Sequence, residues 1–325
     1  MKIKKKILIA KELSHQNINK INKKLSNYYE ILVPNNYTNA EIIKNAKDIS
    51  ICIGTYLESY IIDYAPNLLI FQNIGSGIEG FDLNKLIRKK ILLTNSHENS
   101  IYVAEYAVTV ALSMSKNMNY YYSMLREKNY LKYSKNNMHK IPTNLVSNKI
   151  IGIIGYGCIG KKIKKMLSGF SNKFYVMSNK SKISNSINLY KKSLNQILSK
   201  SDIIFINVPL TKKTINMINL DNYKILSNDC VLINTSRAEV ISYDAFKLIL
   251  KEKKGISYDT FYKNKISNDN LKSELLKKNH NLIITPYIAS INENKSFPVN
   301  DIILNLISYY KNNKLKNLIN FKEGY

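Results

Sequence analysis

Three glycines, Gly155, Gly157 and Gly160, stand in a G-x-G-x-x-G spacing directly behind the apolar run Ile150 to Ile154. In such a loop the first glycine makes a tight turn, the second lets a pyrophosphate touch the backbone, and the third lets helix and strand pack closely. Ile163, Met166 and Leu167 then form an apolar stripe on a predicted helix whose other face carries Lys161, Lys162, Lys164 and Lys165. A helix starting there aims N–H groups and its positive dipole end at phosphates. The expected nucleotide contacts are Gly155, Tyr156, Gly157, Cys158, Ile159 and Gly160. A second candidate is Arg237, one of only three arginines (Arg88, Arg126, Arg237) among 49 lysines and arginines. It follows the predicted strand Cys230 to Asn234. Chemistry that needs a planar, two-pronged clamp cannot use lysine equivalently. A third is the loop Asn73-Ile74-Gly75-Ser76-Gly77, whose backbone N–H groups suit a small anion.

These residues need a scaffold, and the hydrophobic pattern supplies one. Strands are predicted at Lys6 to Ala10, Glu30 to Val33, Ser50 to Gly54, Asn67 to Phe71 and Ile91 to Thr94. Helices at Asn17 to Leu25, Asn39 to Lys47 and Leu83 to Arg88 are interleaved with them. The long helical pattern Ile101 to Lys116, continuing toward Lys128, lies between two α/β halves and is expected to cross from one domain to the other. The second half predicts strands at Ile150 to Ile154, Lys173 to Ser178, Ile203 to Val208, Cys230 to Asn234, Gly255 to Asp259 and Leu282 to Thr285. Helices are predicted at Thr214 to Ile218, Tyr243 to Lys251 and roughly Phe297 to Tyr310, the last with Pro298 in its first turn. Alternation with short links is the signature of a parallel sheet, which binds ligands at its strand ends.

A chain of 325 residues, 45% hydrophobic, is long enough for two globular domains. No apolar run reaches membrane-spanning length, and the start MKIKKKILIA reads as a first strand rather than a leader. Cys52, Cys158 and Cys230 are scattered singly, which implies neither disulfides nor zinc and fits a reducing cytoplasm. No cluster with metal-ligand spacing is present in the sequence, so no metal is expected. The net charge of +26 is spread along the chain among Asn, Ile and Tyr. That mixture looks like a coding bias toward A and T, so neither nucleic acid nor membrane is expected as a partner, although anionic ligands should be attracted.

Taken in order, these motifs resemble the D-isomer-specific 2-hydroxyacid dehydrogenases over nearly the whole chain. APNLLIFQNIGSGIEGFD (Ala65 to Asp82) is similar to the family's substrate-domain glycine loop, and VAEYA (Val103 to Ala107) to its domain-crossing helix. NKIIGIIGYGCIG resembles its nucleotide loop. SDIIFINVPLTKKT (Ser201 to Thr214) and VLINTSRAEVI (Val231 to Ile241) resemble the segments that close over the cofactor and bear the substrate arginine. The resemblance implies two α/β domains of Rossmann-like or flavodoxin-like parallel-sheet type, the cofactor domain (101–290) inserted into the substrate domain (1–100 and 291–325). It implies a nicotinamide dinucleotide, hydride transfer in the cleft, and a homodimer joined through the cofactor domain. Ser76 and Gly77 would hold the substrate carboxylate by their backbone, and Arg237 would grip that carboxylate and the reacting oxygen. Asp259 would approach the nicotinamide end, Thr235 and Ser236 would line it, and Val208, Pro209 and Thr214 would close over the cofactor.

Two departures stand against this pattern. The family's catalytic histidine lies in a T-P-H-I-A run, which here reads Thr285-Pro286-Tyr287-Ile288-Ala289. Its acidic partner's position is Asn264. A phenol, ordinarily ionising near pH 10, is a willing proton donor and a poor base at neutrality. Tyr287 is therefore expected to give the proton in carbonyl reduction with Asn264 beside it, and His97 is the next candidate. The other departure is Ser178, followed by Asn179 and Lys180, where NAD-binding members place a carboxylate on the ribose. No Asp or Glu occurs from Lys161 to Ser201, so NADP is expected over NAD. Two functions remain open: an NADPH-dependent reductase of small 2-oxo acids or related carboxylates, and a catalytically silent nucleotide-binding relative with a regulatory or assembly role.

Overall fold

A computed structural model of the chain describes residues 4–127, 143–179, 187–227, 229–252, 255–260, 262, 282–291 and 297–325. The chain divides into two compact units, Met1–Asn99 with Asn292–Tyr325, and Ser100–Ile291.

The first unit is built on five parallel strands: β1 (Lys6–Ile9), β2 (Glu30–Leu32), β3 (Ile51–Gly54), β4 (Ile70–Asn73) and β5 (Leu92–Thr94). Their order is β2-β1-β3-β4-β5. Successive side chains point to opposite faces, so a fully apolar strand feeds two cores. Ile7, Ile9, Ile51, Ile53 and Ile70 pack on α1 (His15–Leu25) and α9 (Asn300–Asn312). Leu8, Cys52 and Phe71 pack on α2 (Asn39–Lys44), α3 (Leu83–Arg88) and a 3-10 helix, Tyr56–Asp63. Ser14, Thr38 and Asp82 start α1, α2 and α3 by accepting backbone N–H bonds with their side chains.

The second unit holds seven parallel strands: β6 (Ile150–Ile154), β7 (Lys173–Met177), β8 (Leu189–Lys191), β9 (Ile203–Ile206), β10 (Val231–Asn234), β11 (Gly255–Tyr258) and β12 (Leu282–Ile284). The order is β12-β11-β10-β9-β6-β7-β8. It reverses direction between β6 and β9, which makes that strand pair the switch point where open α/β sheets bind ligands. One face packs on α4 (Ser100–Ser115) and α6 (Cys158–Leu167) through Ala104, Ala107, Ala111, Ile163 and Leu167. The other packs on α7 (Leu194–Lys200) and α8 (Tyr243–Lys251) through Ile197, Phe246 and Ile249. α5 (Met118–Glu127) follows α4 after a break at Asn117, whose φ is 52°.

Several expectations need correction. Thr214 to Ile218 is a turn rather than a helix. Ile218 makes a parallel bridge to Ile241, and Asn216 N–H donates to Glu239 at 2.8 Å, which draws the segment out of helical spacing. The strand predicted at Asn67 to Phe71 starts three residues later, because Leu68 closes a turn onto Ala65. Pro298 precedes α9, which begins after Val299. The alanine-rich helix α4 lies wholly within the second unit. Missed altogether were β8, α7 and the 3-10 helix Tyr56–Asp63, all short elements with weak apolar periodicity.

Candidate active site

The glycine loop leaves the end of β6 at the switch point. Gly155 has φ +96°, and a Cβ there would lie 2.7 Å from the Asn207 carbonyl oxygen that follows β9. The N–H groups of Gly155 and Tyr156 both donate to Met177 O, at 3.2 and 3.0 Å, which ties the loop to the end of β7. Gly160 sits under the loop, where a Cβ would be 2.7 Å from Gly155 O and 2.8 Å from Ile153 Cγ2. Gly157, the residue before α6, faces open space. Cys158 is exposed, Ile159 and Tyr156 are half-buried, and burial pushes the Tyr156 phenol up from its ordinary value. Gly152, within β6 and three residues before Gly155, was not singled out from sequence. A Cβ there would meet Ile197 Cγ2 at 2.6 Å and Ser201 Oγ at 2.7 Å, so its bareness seats α7 on β6.

Ser178 and Asn179 directly follow β7 and are half-buried and exposed. Lys180 and Asn264 lie outside the described residues. After β9, Val208 is buried against Gly155 and Pro209 is exposed. The Thr214 hydroxyl donates to Pro209 O at 2.5 Å and accepts from Thr211 N–H at 2.8 Å, which closes this segment into a compact turn.

Beyond β10 the chain turns around Asn234, which is 0% exposed. Its Oδ1 accepts Ser236 N–H at 3.0 Å and Ser236 Oγ–H at 2.9 Å, and its Nδ2 donates to Arg237 O at 2.8 Å. Thr235 Oγ1 donates to Asn207 Oδ1 at 3.0 Å, which joins this turn to the switch point. Arg237 is half-buried, and its Nη1 donates to Ser236 O at 2.9 Å. Asn234 organises this turn and carried no signal in a chain rich in asparagine.

Beyond β11 lies Asp259, which is buried. Its Oδ1 accepts Thr285 Oγ1–H and Ile288 N–H, each at 2.8 Å, and its Oδ2 accepts Ala289 N–H at 2.8 Å. Tyr106, on α4, also hydrogen-bonds to the Thr285 hydroxyl. Burial pushes the Asp259 carboxyl above the usual carboxylate value, against the lowering pull of those three donors. Tyr287 rides on the turn they fix, with a left-handed φ of 58° and 50% of its surface exposed. The ends of β6, β9, β10, β11 and β12 thus bring the glycine loop, Thr235, Ser236, Arg237, Asp259 and Tyr287 to one edge of one sheet.

In the first unit the anion-loop candidates Ser76 and Gly77 follow β4. Asn73 Oδ1 accepts Gly75 N–H at 3.3 Å and its Nδ2 donates to Gly77 O at 2.8 Å. His97 lies three residues past β5 and is half-buried. Among the described residues, no group of three His, Cys, Asp or Glu is placed to hold a metal ion, and no helix is long and apolar enough to cross a membrane.

A parallel sheet whose switch point carries this glycine loop defines a dinucleotide-binding domain. A family model described as D-isomer specific 2-hydroxyacid dehydrogenase, NAD binding domain, matches residues 108–289. The glyoxylate reductase of Pyrococcus horikoshii is 26% identical over 290 residues, covering 87% of this chain and 83% of that protein. Among solved structures, the PH0520 protein of Pyrococcus horikoshii matches with a TM-score of 0.77 at 20% identity, covering 98% of this chain and 96% of that one. The NADPH-dependent glyoxylate/hydroxypyruvate reductase of Sinorhizobium meliloti matches with a TM-score of 0.74 at 18% identity, covering 99% and 98%. The two structural likenesses speak for the fold.

The chain belongs to the D-isomer specific 2-hydroxyacid dehydrogenases, a family of oxidoreductases. Its residues fit a nicotinamide dinucleotide: the space over Gly157 is one that a side chain would fill, and the loop behind it is pinned by Met177.

Proposed function

We propose that this protein is an NADPH-dependent reductase of small 2-oxo acids, or of related carboxylates with a carbonyl or unsaturated group beside the carboxylate. The observation that carries the reading is the pairing of two turns, one after β10 and one after β12, on either side of β11. Asn234 fixes the turn bearing Arg237, and Asp259 fixes the turn bearing Tyr287. Each functional side chain thus stands on backbone held by a buried polar group, as preorganised sites require.

When bound, the reduced nicotinamide supplies hydride to the substrate carbon. The loop from Gly155 to Gly160 receives the pyrophosphate on backbone N–H groups at the start of α6. Val208, Pro209 and Thr214 close over the cofactor, and Thr235, Ser236 and Asp259 line its nicotinamide end. Ser178, Asn179 and Lys180 take the ribose phosphate, a reading supported by the absence of any Asp or Glu from Lys161 to Ser201. Arg237 holds the carboxylate and polarises the carbonyl oxygen. The Tyr287 hydroxyl gives its proton to the developing alkoxide, oriented by Asn264, and regains one from solvent. Ser76 and Gly77 offer backbone N–H groups to the carboxylate. The unit 1–99 with 292–325 serves the substrate and the unit 100–291 the cofactor. The protein works in the cytoplasm as a homodimer joined through the second unit, a state that light scattering measures.

The test is steady-state screening of 2-oxo acids, glyoxylate first, with NADPH and NADH. Turnover with NADPH supports the reading. One observation favours the second reading, a silent nucleotide-binding relative: Tyr287 and Asn264 replace both halves of the family's proton-transfer pair. Tight NADPH binding with no turnover of any 2-oxo acid would establish that reading instead.

A further inference from the structure

The loop after β4 owes its shape to a residue on another strand end. Ser96 N–H donates to Gly75 O at 3.1 Å, and Asn95 Nδ2 donates to Ser76 O at 2.8 Å. Two consecutive carbonyls of the loop are therefore turned toward the Asn95–Ser96 segment. In a trans peptide the C=O and N–H point in opposite directions, and no described peptide is cis. The N–H groups of Ser76 and Gly77 belong to those same two peptides, so both are turned away from Asn95 and Ser96, toward one side. Among the described residues neither N–H has a protein partner, and Ser76 is exposed. Two adjacent donors aimed one way form an anion-binding concavity.

Asn95 is poorly placed for stability alone. It is 7% exposed, and its Oδ1 is buried with no hydrogen-bond partner. A buried unpaired acceptor costs stability and calls for a reason. Its backbone is clamped by Asn317, which accepts Asn95 N–H and donates to Asn95 O, each at 3.3 Å. Asn73 fixes the loop from the other side through Gly75 and Gly77.

We infer that Asn95 is a positioning residue: it turns the Ser76–Gly77 peptide so that its N–H, with that of Ser76, receives the substrate carboxylate. This rests on the reading above that the loop takes a carboxylate. Asn95 itself touches no substrate. Without its amide, the Ser76 carbonyl is free to rotate and the Gly77 donor leaves the pair.

The test follows the Ser76 and Gly77 amide resonances of the full chain, isotopically labelled, during titration with oxalate, a small carboxylate that cannot be reduced. Both resonances should shift in the parent. In Asn95→Ala the affinity should fall about 10- to 100-fold, the worth of one hydrogen bond to a charged group. Asn95→Asp keeps the volume and removes the donor, and it should weaken binding similarly while NADPH affinity stays within about twofold. With glyoxylate and NADPH, KM should rise by the same factor and kcat should change little. Parent amides that do not shift at saturating oxalate overturn the inference, as do variants that bind oxalate as the parent does. If Asn95→Ala fails to fold, Asn95→Asp and the parent titration decide alone. If oxalate shifts the amides as expected while no 2-oxo acid is turned over, the loop inference stands and the reductase reading falls.

Discussion

The Tyr287 N–H donates to the carbonyl oxygen of Asp259 at 3.0 Å, while the Asp259 carboxylate collects the next two N–H groups, those of Ile288 and Ala289. Asp259 is thus the anchor of the turn that presents Tyr287. Burial raises its carboxyl above 3.8, so the folded state holds that proton more tightly than the unfolded chain does. The stability this gives is fully present below the unfolded value and is lost as pH rises through the raised one. The thermal-stability margin of the parent over Asp259→Asn should therefore be largest in acid and shrink toward neutrality. Unfolding scans of both proteins from about pH 3 to pH 7 check this.

Tyr287→Phe removes one hydroxyl from a side chain that is half exposed, so the fold should hold. Reduction should fall by about two to four orders of magnitude, the usual worth of a positioned acid, with NADPH affinity retained. Stopped-flow reduction of glyoxylate and a cofactor titration measure the two effects. Equal rates in parent and variant would pass the role to His97 or water.

Arg237→Lys keeps the charge and loses the fork. The catalytic efficiency should drop by about one to three orders of magnitude, as expected for a lost transition-state contact. Cofactor affinity should change little, and steady-state kinetics with calorimetry separate the two.

The loop glycines should divide cleanly between stability and binding. Gly160→Ala forces a Cβ to within 2.7 Å of Gly155 O, and overpacking of that kind costs about 1–3 kcal/mol. Gly157→Ala meets nothing within 4 Å, so the melting temperature should hold while NADPH binding weakens. Calorimetric scans and titrations of both variants test the division.

Ser178→Asp places a negative charge at the end of β7, where the proposed ribose phosphate sits. The parent should prefer NADPH and the variant NADH. Titration of both cofactors reads the order directly, and tighter NADH binding by the parent would refute it.

The fold was legible where burial is complete on both faces. β6, α3 and α8 have the predicted bounds because an apolar run or a capped amphipathic stripe marks each of them. Thr214 to Ile218 misled because its spacing is helical while its bonding is tertiary, to Glu239 and Val240. At the site, glycine and arginine were conspicuous by type, and the structure gives Gly155 and Gly160 the steric reasons expected of them. The side-chain roles of Asn73, Asn95 and Asn234 were invisible. Their value lies in which carbonyl each amide reaches, and composition offers no clue to that in a chain where asparagine is common.

The division of the first unit between the two ends of the chain sets an order of events at the ribosome. Tyr29 is buried and its hydroxyl donates to Leu306 O, a partner synthesised 277 residues later. The apolar face of β1, β3 and β4 is covered by Ile21 and Leu25 of α1 and by Ile302, Ile303 and Leu306 of α9, so its cover is incomplete until the last helix emerges. The unit from Ser100 to Ile291 is continuous and can close its own core first. During that interval part of an isoleucine face stays uncovered, and the time needed to synthesise the second unit sets how long it does so.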